Sequence, residues 1–258
     1  MTTSRNVVPL CAAALALLAA ALPASAQTAA KPQPARIPVL LELFTSEGCS
    51  SCPPADALVL RLLAEQPIDG VEVVALSEHV DYWNRLGWRD PFSDGLFSAR
   101  QEAYAPLAAG RIYTPQVVID GSFAVPGNDP QSVRGALKAA AGLPRGKVAL
   151  QVRREDAKSM TVSVRAEGLL QGGTLFVALL EDGLSVRVTA GENEGRTLPH
   201  AAVVRTLRPL GESKAGSAQG EARLALEPGW SAERLRVVAF VQRPGGAVQA
   251  VGAAKAAP

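Results

Sequence analysis

The sequence predicts an α/β domain followed by an all-β, antiparallel sandwich-like domain. Residues 37–142 alternate between strand-like and helix-like runs in the order β-α-β-α-β-β-α. From about Lys147 the pattern changes to roughly eight short alternating runs separated by glycine, proline and charged residues, which is typical of antiparallel strands. We therefore expect the boundary near residues 143–146, with domains at 37–144 and 145–258.

The elements of the first domain follow from local signals. Ile37–Phe44 is an apolar strand run, and the helix after it places Ala55, Leu58, Val59, Leu62 and Leu63 on one face. Residues 71–76 give a second buried strand, and Ser93 is a suitable cap for a helix to about Ala105. Asp120-Gly121 predicts a hairpin turn, and Asp129 with Pro130 opens a last helix that ends near Gly142.

Composition excludes several classes of protein. The chain has 258 residues, 48% of them hydrophobic, which is enough to bury a substantial core. It carries 26 Lys and Arg against 24 Asp and Glu, a net charge of +2, and no basic run. Nucleic-acid binders show a clustered basic surface, so we expect no nucleic-acid partner.

The first residues have the pattern of a secretory signal. Arg5 precedes an apolar stretch over residues 10–22, and Ala24-Ser25-Ala26 is a small-x-small cleavage site. A membrane span needs about 20 apolar residues, so an uncleaved anchor is the less favoured alternative. We expect a signal peptide at 1–26, an extended lead-in at 27–36, no stable membrane insertion after cleavage, and a periplasmic or secreted protein.

Cleavage after residue 26 leaves two cysteines, Cys49 and Cys52, in an oxidising compartment. Cys49-Ser50-Ser51-Cys52 lies between the first strand and its helix. A helix N-terminus carries about half a positive charge, which favours a thiolate, so Cys49 is the predicted nucleophile and Cys52 the resolving thiol. We expect the Cys49 sulfur to be ionised and reachable from solvent at physiological pH. A static disulfide and half of a metal site are the alternatives, because CxxC alone is weak evidence.

Residues 37–142 resemble the thioredoxin superfamily, in which CxxC follows the first core strand. In that family a cis-proline packs against the disulfide and exposes a backbone edge to the substrate, and the corresponding residues here are Thr114 and Pro115. The resemblance implies thiol-disulfide exchange with protein or peptide thiols and a redox partner protein, with no organic cofactor. Whether the chain is an enzyme stays open, because fold does not fix function.

Longer segments resemble a secreted bacterial thioredoxin-like family of unknown function. They are LLELFTSEGCSSCPPAD, EHVDYWNRLGW, YTPQVVIDG and GENEGRTLPHAAVVR. The Ser-Ser dipeptide between the cysteines departs from well-known thioredoxin motifs, and it leaves the direction of electron flow open. Thioredoxins also carry a buried acid under the disulfide; Glu42 is the candidate, one place out of the usual register, and otherwise a salt-bridged strand carboxylate.

The two histidines and an aromatic segment supply further candidates. His79 follows the second strand and could join Cys49 and Cys52 in a copper or zinc site, or it is a hydrogen-bonded structural residue. We expect His200 in a loop between strands. Four residues of the aromatic segment either bind unfolded or peptide substrates beside the cysteines or only pack a loop against the core: Asp81, Tyr82, Trp83 and Trp88.

Three functions are compatible with these patterns. The first is an exported thiol-disulfide oxidoreductase, the second a periplasmic copper- or zinc-binding chaperone, and the third a non-catalytic binding module with a structural disulfide. Ser46, Ser50 and Ser51 lack a nucleophile-elbow motif and no glycine-rich phosphate loop occurs, so hydrolases and nucleotide-binding proteins are disfavoured.

Overall fold

The computed structural model of the chain describes residues 1–3 and 36–256. The predicted signal peptide and lead-in otherwise lie outside the described residues. The helices and strands all belong to the unit Ala35–Pro258. Among the described residues, no helix has the length and apolarity needed to cross a bilayer.

Residues 37–142 contain the helices and strands in the predicted order. These elements are β1 Ile37–Thr45, α1 Pro53–Glu65, β2 Val71–His79, α2 Gly95–Ala103, β3 Gln116–Ile119, β4 Phe123–Pro126 and α3 Pro130–Ala141. The cap of α2 is Asp94 rather than Ser93, because the Asp94 carboxylate accepts a hydrogen bond from the backbone N–H of Leu96. Asp129 caps α3 as predicted, accepting from two backbone N–H groups.

Nine strands follow, one more than the sequence pattern suggested. They are β5 Lys147–Arg154, β6 Ser159–Leu169, β7 Gly173–Glu181, β8 Leu184–Arg187, β9 Thr197–His200, β10 Val203–Ser213, β11 Gly216–Ala225, β12 Leu235–Gln242 and β13 Val248–Lys255. The additional strand is β9, which places His200 in a strand and not in a loop. Its four residues include a proline, so it lacks an alternating apolar pattern.

The predicted fold class is wrong, because one mixed sheet takes strands from both parts of the chain. Its order is β13-β12-β7-β10-β2-β1-β3-β4. The join is made where β10 runs parallel to β2, with Val203 opposite Ser77. The backbone N–H and the hydroxyl of Ser77 donate to the carbonyls of Ala202 and Ala201, each at 2.8 Å. The protein is therefore mostly β around an eight-stranded sheet, not a small α/β domain followed by a separate sandwich.

The eight-stranded sheet is covered on both faces, as the side chains of β12 show. Successive side chains of a strand point to opposite sides, so a strand buried on both sides is a continuous apolar run. Along β12, Val238 and Phe240 join the cluster that contains the helices α1 and α3. Val237 and Ala239 join the cluster beneath a three-stranded sheet of order β11-β6-β5. The second part of the chain thus shares its largest sheet with the first.

Candidate functional site

The cysteine pair is a disulfide in the turn between β1 and α1. The two sulfurs are 2.20 Å apart and the Cα atoms 5.4 Å apart. Cys52 is the N-cap residue of α1, and prolines occupy the first helical positions. Proline suits that place because its missing N–H would have had no helical partner. The turn therefore places the pair at the positive end of a helix, as predicted.

Both cysteines are fully buried, and this contradicts the expectation that Cys49 is reachable. Each has 0% exposure, whereas Ser50 and Ser51, which separate them, are exposed. The backbone of the turn thus faces solvent while its sulfurs point inward. In the oxidised protein described here, a thiol cannot reach either sulfur without a local movement.

The loop that joins β8 to β9 covers this turn. The buried side-chain amide of Asn193 donates to the carbonyl oxygens of Glu47, at 2.8 Å, and Cys49, at 2.9 Å. Next to it, the exposed carboxylate of Glu192 accepts a hydrogen bond from the backbone N–H of Ser50 at 2.9 Å. Hydrogen bonding by the side chain of Ser50, and then by its backbone N–H, lowers the pKa of Glu192. Residues 188–196, called the covering loop below, therefore bind the cysteine turn through three hydrogen bonds.

The hydroxyl of Ser51 lies between the disulfide and the Thr114–Pro115 bond. The bond between them is cis, as the thioredoxin resemblance implied, and Pro115 is buried. The hydroxyl of Ser51 lies 3.4 Å from the Cys49 sulfur and 3.5 Å from the carbonyl oxygen of Thr114. Ser51 thus connects the cysteine turn to the backbone that precedes β3.

The aromatic segment divides between the site and the core. The indole of Trp83 donates to the Thr114 hydroxyl at 2.8 Å, and a side chain at Gly48 would lie 3.3 Å from the Cβ of Trp83. The indole of Trp88 donates to the Glu47 carboxylate at 2.8 Å. Tyr82 and Asp81 instead contact α2, through Gln101 and Ser98. Of the four candidate residues in the aromatic segment, only the two tryptophans therefore have hydrogen-bonded partners next to the cysteine turn.

A buried group of charged side chains lies behind the turn. His200 Nε2 is 3.0 Å from the carboxylate of Glu47, and His200 Nδ1 is 3.9 Å from that of Asp56. Burial, the largest single influence, lowers the pKa of His200, but the two carboxylates together outweigh it and raise the pKa to about 9. His200 is therefore protonated at neutral pH, which places an imidazolium between two acids.

His79 belongs to this buried group rather than to the cysteines. Its Nδ1 lies 2.7 Å from Asp90, and its ring packs edge-on against His200 at a centroid distance of 5.0 Å. Burial opposes ionisation of Asp90, yet its pKa is lowered because His79 and backbone N–H groups, including that of Glu47, stabilise the carboxylate. Within residues 1–3 and 36–256, no cluster of three or more His, Cys, Asp or Glu could hold a metal ion. The copper or zinc hypothesis stays a prediction.

Glu42 lies in a different buried cluster. Its carboxylate pairs with the guanidinium of Arg100 and accepts the hydroxyl hydrogen of Tyr104 at 2.7 Å. Burial and the Glu42 charge raise the pKa of nearby Glu78 well above its ordinary value. The structure thus ties Glu42 to α2 by a salt bridge, which was the alternative to a place under the disulfide.

Two residues of the site, Glu47 and Asn193, were missed from the sequence, and His200 was expected only in a connection between strands. Glu47 is two positions before Cys49, so its closeness to the motif was the available signal. Asn193 and His200 lie in the second part of the chain, separated by 144 residues from Cys49 and by 153 from Glu47, respectively. Their segment, GENEGRTLPH, was noted only as a part of the wider resemblance.

Solved structures of two bacterial proteins are similar to this chain. A solved structure from Agrobacterium tumefaciens is 24% identical, with a TM-score of 0.69, and the match covers 87% of this chain and 96% of that one. A domain of the outer membrane lipoprotein Omp28 from Porphyromonas gingivalis is 23% identical over 45% of this chain and 91% of its own, with a TM-score of 0.33. A search of curated protein sequences found no match.

The similarity to the Agrobacterium structure establishes the fold alone, and the similarity to the Omp28 domain is too low to support a conclusion.

A family model that describes proteins of unknown function matches residues 40–242, which include the cysteine turn, the covering loop and His200. This family model is not a thioredoxin model, so the wider thioredoxin resemblance stays a prediction. The chain therefore belongs to the DUF1223 family of proteins of unknown function.

Proposed function

We propose that this chain is an exported thiol-disulfide oxidoreductase that exchanges the Cys49–Cys52 disulfide with protein or peptide thiols. The observation that carries the proposal is the place of the disulfide, at the N-terminus of α1 and connected through the Ser51 hydroxyl to the Thr114 carbonyl. Export is inferred from the signal pattern at residues 1–26.

The helix end favours the chemistry of the reduced pair. The helix dipole stabilises a negative sulfur at this position, and CxxC cysteines at helix starts have pKa values of about 3.5–7.5 against about 8.5 for an ordinary thiol. A lower pKa increases the ionised fraction of the thiol at neutral pH and makes its thiolate a better leaving group. The pair can therefore enter and leave a mixed disulfide quickly.

The exchange balances as a transfer of two electrons. A client thiolate attacks the Cys49 sulfur, the bond between the two cysteine sulfurs breaks, and Cys52 leaves as a thiolate. A second client thiolate then attacks the client sulfur of the mixed disulfide and releases Cys49 as a thiolate. The client dithiol is oxidised to a disulfide, the protein disulfide is reduced to a dithiol, and the two client protons are released to solvent or to the cysteine thiolates. The reverse sequence reduces a client disulfide.

A purely structural role fits the length of the closed loop less well. The bridged residues are three positions apart in sequence. In the chain-entropy model a loop this short stabilises the folded state by about 2 kcal/mol, against about 4.7 kcal/mol for a loop of 100 residues. The disulfide therefore stabilises the folded state less than a bridge across a long loop would, and its position at a helix start supports a redox role.

The experiment measures the redox couple and its turnover in one preparation. The wild-type protein is equilibrated in a glutathione or dithiothreitol redox series, its thiols are counted by alkylation and mass, and insulin reduction and refolding of a reduced client are assayed. We expect a potential between about −270 and −120 mV, the range of known exchange proteins, and turnover in at least one assay. A couple below about −300 mV without turnover would contradict the proposal.

Single-cysteine variants test the separate roles of the two thiols. Cys49→Ser should abolish exchange. In reduced Cys52→Ser the Cys49 thiolate should attack a disulfide-containing peptide, release one peptide thiolate and remain as a mixed disulfide, because the resolving thiol is missing. The binding-module hypothesis predicts instead that Cys49→Ser lowers the melting temperature and leaves biological activity intact. Stoichiometric copper or zinc on the reduced protein, lost in His79→Ala, would favour the chaperone hypothesis.

A further inference from the structure

His200 connects the two flanks of the cysteine turn from the other part of the chain. Its imidazole lies 3.0 Å from the carboxylate of Glu47, two residues before Cys49, and 3.9 Å from that of Asp56, four residues after Cys52. It is 2% exposed, so these charges interact with little screening by water. One side chain of β9 thus contacts the segments that enter and leave the turn.

Both flanking acids are held by further hydrogen bonds. Glu47 receives the Trp88 indole on its carboxylate, donates its backbone N–H to Asp90, and accepts Asn193 at its carbonyl. Asp56 accepts the Thr45 hydroxyl at 3.2 Å, and its backbone N–H donates to the carbonyl of Cys52. A change in the position or charge of His200 would therefore be passed directly to the backbone of the turn.

We propose that His200 is a positioning residue for the Cys49–Cys52 couple, and that its imidazolium holds the two flanks together and favours the thiolate form of the reduced pair. This inference rests on the proposed exchange function. The chemical reason is that Glu47 and Asp56 already place negative charge behind the turn, and a thiolate adds another. A positive charge between the acids reduces that repulsion, and losing it would raise the pKa of the reduced thiol.

Other groups that face His200 come from several elements. His79 packs against its ring and is hydrogen-bonded to Asp90, and Phe92 lies 5.7 Å from it between ring centroids. Arg205 of β10 lies over the ring of Phe92 and pairs with Glu181. Since His79 is an equally buried histidine bonded to a different carboxylate, it provides the matched control.

The first experiment compares thiol ionisation in variants. Reduced wild type, His200→Gln and His79→Gln are alkylated with iodoacetamide between pH 4 and 10, and the rate at each thiol is followed by mass. Glutamine can still donate to Glu47 but carries no charge. We expect the pH midpoint of alkylation to rise by about one in His200→Gln, which slows the reaction roughly tenfold at pH values below both midpoints, with a smaller shift in His79→Gln. A folded His200→Gln protein with wild-type alkylation at every pH would overturn the proposal.

The second experiment needs no variant to fold, because coupling between two titrating groups is reciprocal. If the His200 charge favours the thiolate, then the thiolate must raise the pKa of His200. The chain has two histidines, so their NMR titrations are resolved in the wild-type protein. We expect a higher His200 pKa in the reduced than in the oxidised protein, and equal values would overturn the proposal.

The exchange assays separate this inference from the proposed function. A reciprocal pKa change without any client turnover would remove the oxidoreductase proposal and leave the coupling of His200 to the cysteines. Turnover at wild-type rates in His200→Gln, with no pKa difference between the oxidised and reduced proteins, would remove the role of His200 alone.

Discussion

Access to the disulfide should depend on the side chain of Asn193. Its amide makes two buried hydrogen bonds, to the carbonyls of Glu47 and Cys49, and both cysteines are fully buried beneath the turn they hold. A hydrogen bond of this kind contributes about 1 kcal/mol, so Asn193→Ala should favour opening of the covering loop by about 2 kcal/mol. At 1.4 kcal/mol for each factor of ten, the open state becomes roughly 30 times more populated.

The assay is the rate at which a phosphine reductant opens the disulfide. The oxidised protein is mixed with excess reductant, samples are quenched with a maleimide, and thiols are counted by mass. We expect Asn193→Ala to be reduced roughly 30 times faster than the wild type, because opening precedes the chemical step. Asn128→Ala is the matched control, since Asn128 is an exposed asparagine in the connection that precedes α3.

Global unfolding would also expose the disulfide, so the rate is measured across a urea series. Local opening exposes little surface and gives a shallow urea dependence, whereas global unfolding gives the slope of the equilibrium transition. An unchanged reduction rate in a folded Asn193→Ala protein would refute the assignment of the covering loop as the barrier. A urea slope equal to the equilibrium value in wild type and variant would refute it as well.

Three further predictions concern stability. The double variant Cys49→Ser with Cys52→Ser should lose about 2 kcal/mol of unfolding free energy in urea denaturation of oxidised samples, and a loss above about 4 kcal/mol would contradict the short-loop argument. The raised pKa of His200, about 9 against about 6.5 in the unfolded chain, stabilises the fold below about pH 6.5; this stabilisation is lost as pH rises through about 9, and His200→Gln should flatten the decline in urea midpoint between pH 6 and 10. Gly121→Ala should destabilise by about 2–3 kcal/mol in thermal unfolding, since Gly121 has φ +55° and a Cβ there would clash with the Gly246 carbonyl oxygen. Gly135→Ala, in open space on α3, should stabilise by about 0.5–1 kcal/mol, and an equal loss at both sites would contradict this reasoning.

Local signals account for the part of the structure that the sequence predicted well. The Asp129 cap, the Asp120-Gly121 turn and the CxxC between β1 and α1 each depend on a few neighbouring residues, and each is present. These features need no knowledge of distant parts of the chain. They were enough to place the cysteines at a helix start.

The sheet and the cover of the disulfide depend on distant pairings. Val203 lies in an alternating run that reads the same whether its strand joins β2 or a separate sandwich, so the eight-stranded sheet was missed. Nothing near Asn193 in sequence indicates that its amide binds the Cys49 carbonyl. The sulfurs of Cys49 and Cys52 are buried although Ser50 and Ser51 between them are exposed, and no neighbouring residue indicates this burial, so Cys49 was wrongly expected to be reachable.

The covering loop has a consequence for the order of events during biosynthesis. When the chain enters an oxidising compartment N-terminus first, the Cys49 turn precedes Asn193 by 144 residues. Its thiols are therefore open to an oxidant until this downstream stretch has also entered. We expect the bond between them to be formed by outside catalysts in that interval, and to be sheltered from the same catalysts once the last third of the polypeptide has arrived.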